Sequence, residues 1–156
     1  MHRFDPAKAS ALVRAARLSA GLTQSELAAA VGLNQPNLAN IEAGRRSVSP
    51  ELLERILEAA GHRPSAALAA IREQIIALAA NYGLSNVRVF GSIAGGEDGF
   101  DSDIDLLVDA TPGTSTFEIG AFAEDVELLT GFPVDVLVDR PGREFTDRIR
   151  DSAVAV

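Results

Sequence analysis

Three aspartates in the second half of the chain have the residue type and spacing expected of a metal-dependent site. Asp103 and Asp105 flank Ile104 at the start of an apolar run, and Asp135 lies in a later apolar run, residues 134–138. Because side chains two positions apart on a strand point to the same face, Asp103 and Asp105 are predicted to project together while Ile104 points toward a core. Adjacent carboxylates repel each other, and a hard divalent cation such as Mg²⁺, which also binds substrate phosphates, would offset that repulsion.

A Gly91-Ser92 pair ends a strand-like segment, residues 87–90, and precedes the first two aspartates by ten residues. Glycine lets a ligand approach the backbone closely, and serine offers an amide and a hydroxyl to phosphate oxygens. A calcium loop does not fit, because Leu106 stands where that loop needs glycine. A Walker-type phosphate loop does not fit either, because the chain has no Gly-Lys-Ser/Thr sequence. The alternative to a binding site is a purely structural role for this segment, as an acidic turn before an edge strand.

Together these residues resemble the DNA polymerase β-type nucleotidyltransferase superfamily, and in particular its minimal nucleotidyltransferase branch. The pattern of that family is Gly-Ser, ten residues, Asp-x-Asp, and a third aspartate on a later strand. The resemblance implies a transferase that uses ATP and two Mg²⁺ ions. The implied site residues are the catalytic and metal-binding Asp103, Asp105 and Asp135, and the nucleotide-binding Gly91 and Ser92. The chain departs from the family at Gly95, where arginine is common, so one cationic contact to phosphate or target is missing.

We expect no extra domain that binds tRNA or a DNA template, and no room for the substrate lid of an aminoglycoside-modifying enzyme, which narrows the expected class of nucleotidyltransferase. What remains resembles the minimal antitoxins that pair with HEPN-domain ribonuclease toxins and transfer AMP from ATP to a tyrosine of the toxin. The resemblance implies a protein adenylyltransferase that works on a cognate toxin, as a homo-oligomer or within a toxin–antitoxin complex. The alternative is a transcription regulator whose nucleotidyltransferase domain only senses nucleotide or is inactive.

Composition and charge favour two modules with different partners. Residues 1–64 carry a net charge of +2 and residues 65–156 a net charge of −10, within a total of −8. The first half can therefore approach nucleic acid, whereas the second would repel polyanions unless metals intervene. The lack of cysteine excludes disulfides and thiolate metal sites. Without an apolar signal segment or a membrane-length apolar run, we expect a cytoplasmic protein that has no membrane partner.

Caps and glycines in the first half predict four short helices. The expected helix starts are Asp5-Pro6, the capping box Thr23–Glu26, Asn34 and Ser49-Pro50, and the expected stops are Gly21, Gly32, Gly44 and Gly61. Short second and third helices joined by a glycine turn are typical of a DNA-reading helix-turn-helix.

The segment from Leu12 to Gly61 resembles the Cro/C1-type (XRE) repressor family. The matching motifs are Gly21-Leu22-Thr23-Gln24, Val31-Gly32-Leu33 and Ile41-Glu42-x-Gly44-Arg45-Arg46. The resemblance implies three kinds of DNA contact: Gln24 on the backbone, Gln35, Asn37 and Asn40 on base edges, and Arg45 and Arg46 on phosphates. We therefore expect residues 1–63 to be a helix-turn-helix domain that binds operator DNA and represses its own operon. The alternative is a helix-turn-helix that docks a protein.

The remaining residues, 64–156, are predicted to form a small α/β domain with a mixed sheet, the minimal nucleotidyltransferase domain. The expected order is a long helix from Ser65 to about Tyr82, a strand at 87–90, the Gly-Ser turn, a strand at 103–109, a helix at about 117–129, a strand at 134–138 and a helical segment at 144–150. The predicted fold class is thus two domains, an all-α helix-turn-helix followed by a small α/β domain.

Overall fold

A computed structural model describes residues 2–156 of the chain and divides it into two compact units. The first unit extends to His62, and the second is Arg63–Val156. Among the described residues, no helix is both long enough and apolar enough to span a membrane.

The first unit is a bundle of short helices, as the caps and glycines predict. After a 3₁₀ turn at Pro6–Lys8, the helices are α1 (Ala9–Ser19), α2 (Gln24–Val31), α3 (Gln35–Glu42) and α4 (Pro50–Ala59). Thr23 and Glu26 form the expected capping box, and Asn34 accepts a hydrogen bond from the backbone N–H of Asn37. These caps satisfy amides that would otherwise lack partners in the first turn of each helix. The core of the bundle is Val13, Leu27, Leu38, Ile41, Leu53, Ile56 and Leu57, all fully buried.

The second unit is a mixed sheet with helices, which confirms the predicted fold class. Its elements are α5 (Pro64–Ala70), α6 (Arg72–Asn81), β1 (Leu84–Phe90), α7 (Gly91–Ala94), β2 (Ile104–Ala110), α8 (Thr116–Thr130), β3 (Val134–Val138), α9 (Glu144–Ser152) and β4 (Val154–Ala155). The strand order is β3-β2-β1-β4, with β2 and β3 parallel and the other pairs antiparallel. Helix α6 packs on β1 and helix α8 on β3. Ile104, Leu106, Val108, Phe122 and Val126 form the centre of this core.

Three local features differ from the sequence-based expectation. The long helix predicted from Ser65 to Tyr82 is two helices, because Ile71 leaves helical dihedrals at φ −126° and ψ 22°. The first of the two begins at Pro64, and the backbone N–H of Ser65 donates to the Asp98 carboxylate at 2.8 Å, so this segment is anchored separately from α6. The Gly-Ser turn is a short helix, and the two-residue strand β4 at the end of the chain has no counterpart in the prediction.

Candidate functional site

Strand register brings the predicted acidic residues to one end of the sheet. In the parallel pair β2–β3, Asp105 lies directly beside Asp135. In the antiparallel pair β1–β2, Asp105 lies opposite Phe90, the last residue of β1. Asp103 immediately precedes β2, and the fully buried Ile104 follows it, as the alternation predicts. The carboxylates therefore collect where β2 and β3 begin and β1 ends.

The backbone of Gly91 packs directly against the Asp105 carboxylate. Its φ of +67° lies in the left-handed region, which favours glycine. A Cβ atom at this position would lie only 2.4 Å from Oδ2 of Asp105, so any larger residue would displace the carboxylate or the turn. Ser92 follows on the same short helix and is half-buried, and its carbonyl accepts a hydrogen bond from the backbone N–H of Glu97. The Gly-Ser pair and the aspartates are thus parts of one local structure.

The electrostatics of this cluster disfavour three negative charges. Burial raises the pKa of Asp105, and the neighbouring carboxylates of Asp135 and Asp103 raise it further. Within residues 2–156, no group of three or more His, Asp or Glu side chains is positioned to hold a metal ion. The carboxylates are close enough to repel one another, but they are not arranged as a complete coordination shell.

A second acidic cluster lies on the same sheet and has the opposite electrostatic character. The guanidinium of Arg88 contacts Asp109 at 2.8 Å and Asp139 at 3.1 Å, and Arg150 also contacts Asp139. Hydrogen bonds from Arg150 lower the pKa of Asp139 to about 2, and those from Arg88 contribute in spite of burial. This network joins β1, the ends of β2 and β3, and α9. Its members are far apart along the chain, so no sequence motif predicts it.

In the first unit, a series of side-chain hydrogen bonds connects the buried end of α3 at Glu42 with its exposed start at Gln35. Arg17 Nε donates to Glu42 Oε1 at 2.6 Å, and Gln24 Nε2 donates to Glu42 Oε2 at 2.9 Å. The Nε2 of Gln35 in turn donates to Gln24 Oε1 at 2.8 Å. Burial alone would raise the pKa of Glu42, but the hydrogen bonds from Arg17 and Gln24 outweigh it and lower the pKa. Glu42 therefore positions Gln24 and, through it, Gln35.

The other predicted DNA-contacting residues lie on or directly after α3. Asn37 and Asn40 are half-buried on the helix, while Arg45 and Arg46 are exposed in the turn that follows. The backbone N–H groups of both arginines donate to the carbonyl of Asn40, at 2.8 Å and 3.2 Å, which fixes the turn and leaves the guanidinium groups outside it. The structure thus brings the predicted residues together on one helix and its adjoining turn.

Comparison with known proteins assigns a family to each unit. Residues 13–65 match a family model described as helix-turn-helix. Residues 71–155, more than half of the chain, match a model described as nucleotidyltransferase domain.

Similar proteins agree with this assignment over the second unit. A relative from Methanocaldococcus jannaschii, named "Putative protein adenylyltransferase", is 33% identical over 87 residues, which is 55% of this chain and 94% of the relative. A solved structure described as a "putative minimal nucleotidyltransferase" superposes with a TM-score of 0.55 at 33% identity, covering 61% of this chain and 98% of that one. The chain belongs to the nucleotidyltransferase family and carries a helix-turn-helix domain ahead of its nucleotidyltransferase domain.

Proposed function

We propose that this chain is a cytoplasmic, Mg²⁺-dependent protein adenylyltransferase of the antitoxin type. It transfers AMP from ATP to a tyrosine hydroxyl of a cognate toxin, a HEPN-domain ribonuclease. One observation carries the proposal: the Asp105 carboxylate lies so close to Gly91 that no side chain fits there, and Asp105 pairs with Asp135 on the next strand. The name of the archaeal relative supports a protein as the acceptor of AMP.

The acidic residues fit a divalent cation by their chemistry. The carboxylates of Asp103 and Asp135 repel that of Asp105 and raise its pKa. Bound Mg²⁺ would relieve this repulsion. Asp103, Asp105 and Asp135 would hold two Mg²⁺ ions. When bound, the ions would lower the pKa of the acceptor hydroxyl and stabilise the departing pyrophosphate.

The residues of the site have separate tasks in the proposed transfer. Gly91 and Ser92 bind the triphosphate, because the glycine allows close approach and the serine offers its amide and hydroxyl. The acceptor oxygen forms a bond to the α-phosphorus of ATP as the bond from that phosphorus to the pyrophosphate oxygen breaks. Asp135 takes the proton that the acceptor hydroxyl loses.

The helix-turn-helix domain is proposed to bind the operator of the chain's own operon. Gln35, Asn37 and Asn40 would read base edges, and Arg45 and Arg46 would contact phosphates. Gln24 would touch the DNA backbone while it holds Gln35 in place, which is supported by its hydrogen bonds to Glu42 and Gln35. Substituting Gln35 with Ala should weaken binding at particular base positions, whereas Arg45→Ala should weaken all sequences equally and reduce the salt dependence.

A second candidate function is a DNA-binding regulator whose nucleotidyltransferase domain binds nucleotide without transferring it. Gly95 favours this candidate, because the position that carries arginine in many family members has no side chain here. Loss of one positively charged side chain would weaken the binding of phosphate or target, whereas metal binding by the aspartates would be less affected.

Intact-mass spectrometry of the protein encoded beside this gene separates the two candidates. That protein is incubated with this chain and Mg-ATP, and with the Asp103→Asn variant as control. A gain of one or more AMP units that the control lacks supports the transferase. If ATP raises the melting temperature of the chain but no mass is gained, the nucleotide-responsive regulator is the better description.

A further inference from the structure

A cleft of about 350 Å³ lies beside the free edge of the sheet, and none of the three aspartates lines it. Its walls come from the first turn of α8, the strand β3, the segment that leads into α9 and the start of α9 itself. They include Ile119, Val136, Leu137, Val138, Arg143 and Phe145. Strand β3 is the last strand of the sheet on this side. The cleft thus combines apolar walls with an open strand edge.

The hydrogen-bond pattern shows which backbone groups this edge presents. The Pro133 carbonyl accepts from Ile104 of β2, and the Asp139 N–H donates to Val108 of β2. Because alternate residues of a parallel strand bond to the same neighbour, Val136 and Val138 direct their N–H and C=O groups away from β2. An open edge of this kind readily pairs with another chain.

Two aromatic side chains beside the cleft are unusually exposed. Phe117 is 88% exposed and follows Thr116, which lines the cleft, and Phe145 in the cleft wall is 67% exposed. One buried aromatic side chain removes about 150–250 Å² from water, so two per copy supply a substantial part of the roughly 1,200–2,000 Å² that a stable dimer buries.

We propose that a second copy of this chain docks on this face about a two-fold axis, and that Phe117 of each copy inserts into the cleft of the other. A two-fold interface requires one surface that is complementary to itself. Here the protruding side chain belongs to the same helical turn that forms one wall of the recess, so a single rotation fills both recesses at once.

Charge on the two sides of this surface is complementary as well. Helix α8 carries Glu118, Glu124, Asp125 and Glu127 and no basic residue. The cleft is lined instead by Arg140 and Arg143, neither of which forms an ion pair with another described residue. The two-fold places the acidic helix of one copy against the arginines of its partner. The same dimer supplies two helix-turn-helix domains, which matches the two half-sites of a palindromic operator.

Single-cysteine cross-linking tests the contact directly, because the natural chain contains no cysteine. The variants Thr116→Cys and Glu144→Cys place a thiol beside each phenylalanine and keep both rings; they are mixed and treated with a short bis-maleimide. Mixed cross-linked dimers should form well above the level given by Val154→Cys mixed with Glu144→Cys. Val154 is the control, since it is 52% exposed on β4, at the opposite edge of the sheet.

Analytical ultracentrifugation of the full chain gives an independent readout. The natural chain should sediment as a dimer, and Phe117→Ser should raise the dimer dissociation constant about 30-fold, as the loss of a central aromatic contact does. Val154→Ser, on the opposite edge of the sheet, should leave it unchanged. A chain that is monomeric at all concentrations, or a dimer that is indifferent to Phe117→Ser, overturns the proposal. Because the exposed side chain contributes little to the fold, an unchanged melting temperature shows that the variant is intact.

Discussion

The surroundings of two carboxylates, one in each unit, shift their pKa values in opposite directions. Glu42 is buried in the helical unit, but Arg17 and Gln24 donate to both of its oxygens, and its pKa is lowered. Asp105 in the sheet is partly buried beside Asp103 and Asp135, and its pKa is raised. The first carboxylate is compensated within the protein, and the second is left uncompensated.

The difference separates a structural charge from one that is available for chemistry. A buried ion pair that is fully hydrogen-bonded holds a local conformation, and in this unit it orients Gln24 and Gln35. An uncompensated cluster lowers stability and is retained where it binds something from outside. Asp139 supports this distinction within the sheet itself, because two arginines compensate it although it lies on β3's continuation, four residues beyond Asp135.

The largest expected effect comes from removing one charge of the uncompensated cluster. Asp105→Asn should reduce AMP transfer at least about 10³-fold, since the side chain would no longer serve as an anionic ligand, while the melting temperature stays equal or rises because repulsion is relieved. The matched control is Asp109→Asn, on the same strand, whose half-exposed carboxylate pairs with Arg88. The control should keep transfer and lose at most about 1 kcal/mol. Transfer retained in Asp105→Asn, or lost equally in both variants, would contradict the separation.

Removing the compensated charge should have the opposite signature. Glu42→Ala leaves the guanidinium of Arg17 buried without its anion and should reduce the free energy of unfolding of the first unit by about 3 kcal/mol. DNA binding should weaken in the same variant, because Gln24 and Gln35 lose their anchor, whereas AMP transfer should not change at a temperature where the chain is folded. Chemical denaturation with Glu58→Ala, an exposed glutamate of the same unit, as control measures the difference. Equal losses in the two variants would show that Glu42 has no special role.

The elements that carry both carboxylates were predictable from local sequence. The helix starts follow from caps such as Thr23 and Asn34, whose side chains bond to amides within the next three residues. The burial of Ile104 between two aspartates follows from the two-residue period of a strand. Both features depend only on residues close together in the sequence, so they can be predicted without knowing the rest of the fold.

What the sequence did not reveal depends on contacts between distant residues. The parallel pairing of Asp105 with Asp135 is set by how β3 returns to the sheet after α8, which no local pattern records. The compensation of Asp139 by Arg88 and Arg150 has the same origin. The break at Ile71 was missed because its helix-compatible neighbours form a continuous apolar stripe, while the anchoring of Ser65 by Asp98 is a tertiary contact.

Acidification should act on the two units at different pH values. Burial, with a further contribution from Arg3, lowers the pKa of His62 from 6.5 to about 4, so the folded first unit favours neutral imidazole. That stabilisation is complete above pH 6.5 and is lost as the pH falls to about 4, a change of about 3 kcal/mol. The contribution of Asp139, whose pKa is lowered from 3.8 to about 2, is lost only below about pH 4.

The chain offers a probe for each unit in this pH experiment. Its single tyrosine, Tyr82, reports on the second unit by fluorescence, while far-ultraviolet circular dichroism follows the helices of both. Between pH 6.5 and 4 the helical signal should melt earlier, and His62→Leu should abolish that shift. The tyrosine transition should not move to lower temperature, because protonation of Asp105 relieves repulsion in the second unit. A tyrosine transition that moves together with the helical one would show that the units do not respond separately.

The smallest expected effect on transfer distinguishes backbone strain from contact with the acidic site. Gly91 and Gly96 both have φ near +70°, so alanine at either position should cost about 1–2 kcal/mol for the left-handed conformation. Only at Gly91 would the new Cβ meet the Asp105 carboxylate, whereas it meets nothing within 4 Å at Gly96. Thermal unfolding should therefore show similar losses for the two variants, but Gly91→Ala alone should reduce AMP transfer, by about tenfold or more. If Gly96→Ala reduced transfer as strongly, strain in the turn, and not the approach of the carboxylate to the glycine, would control the site.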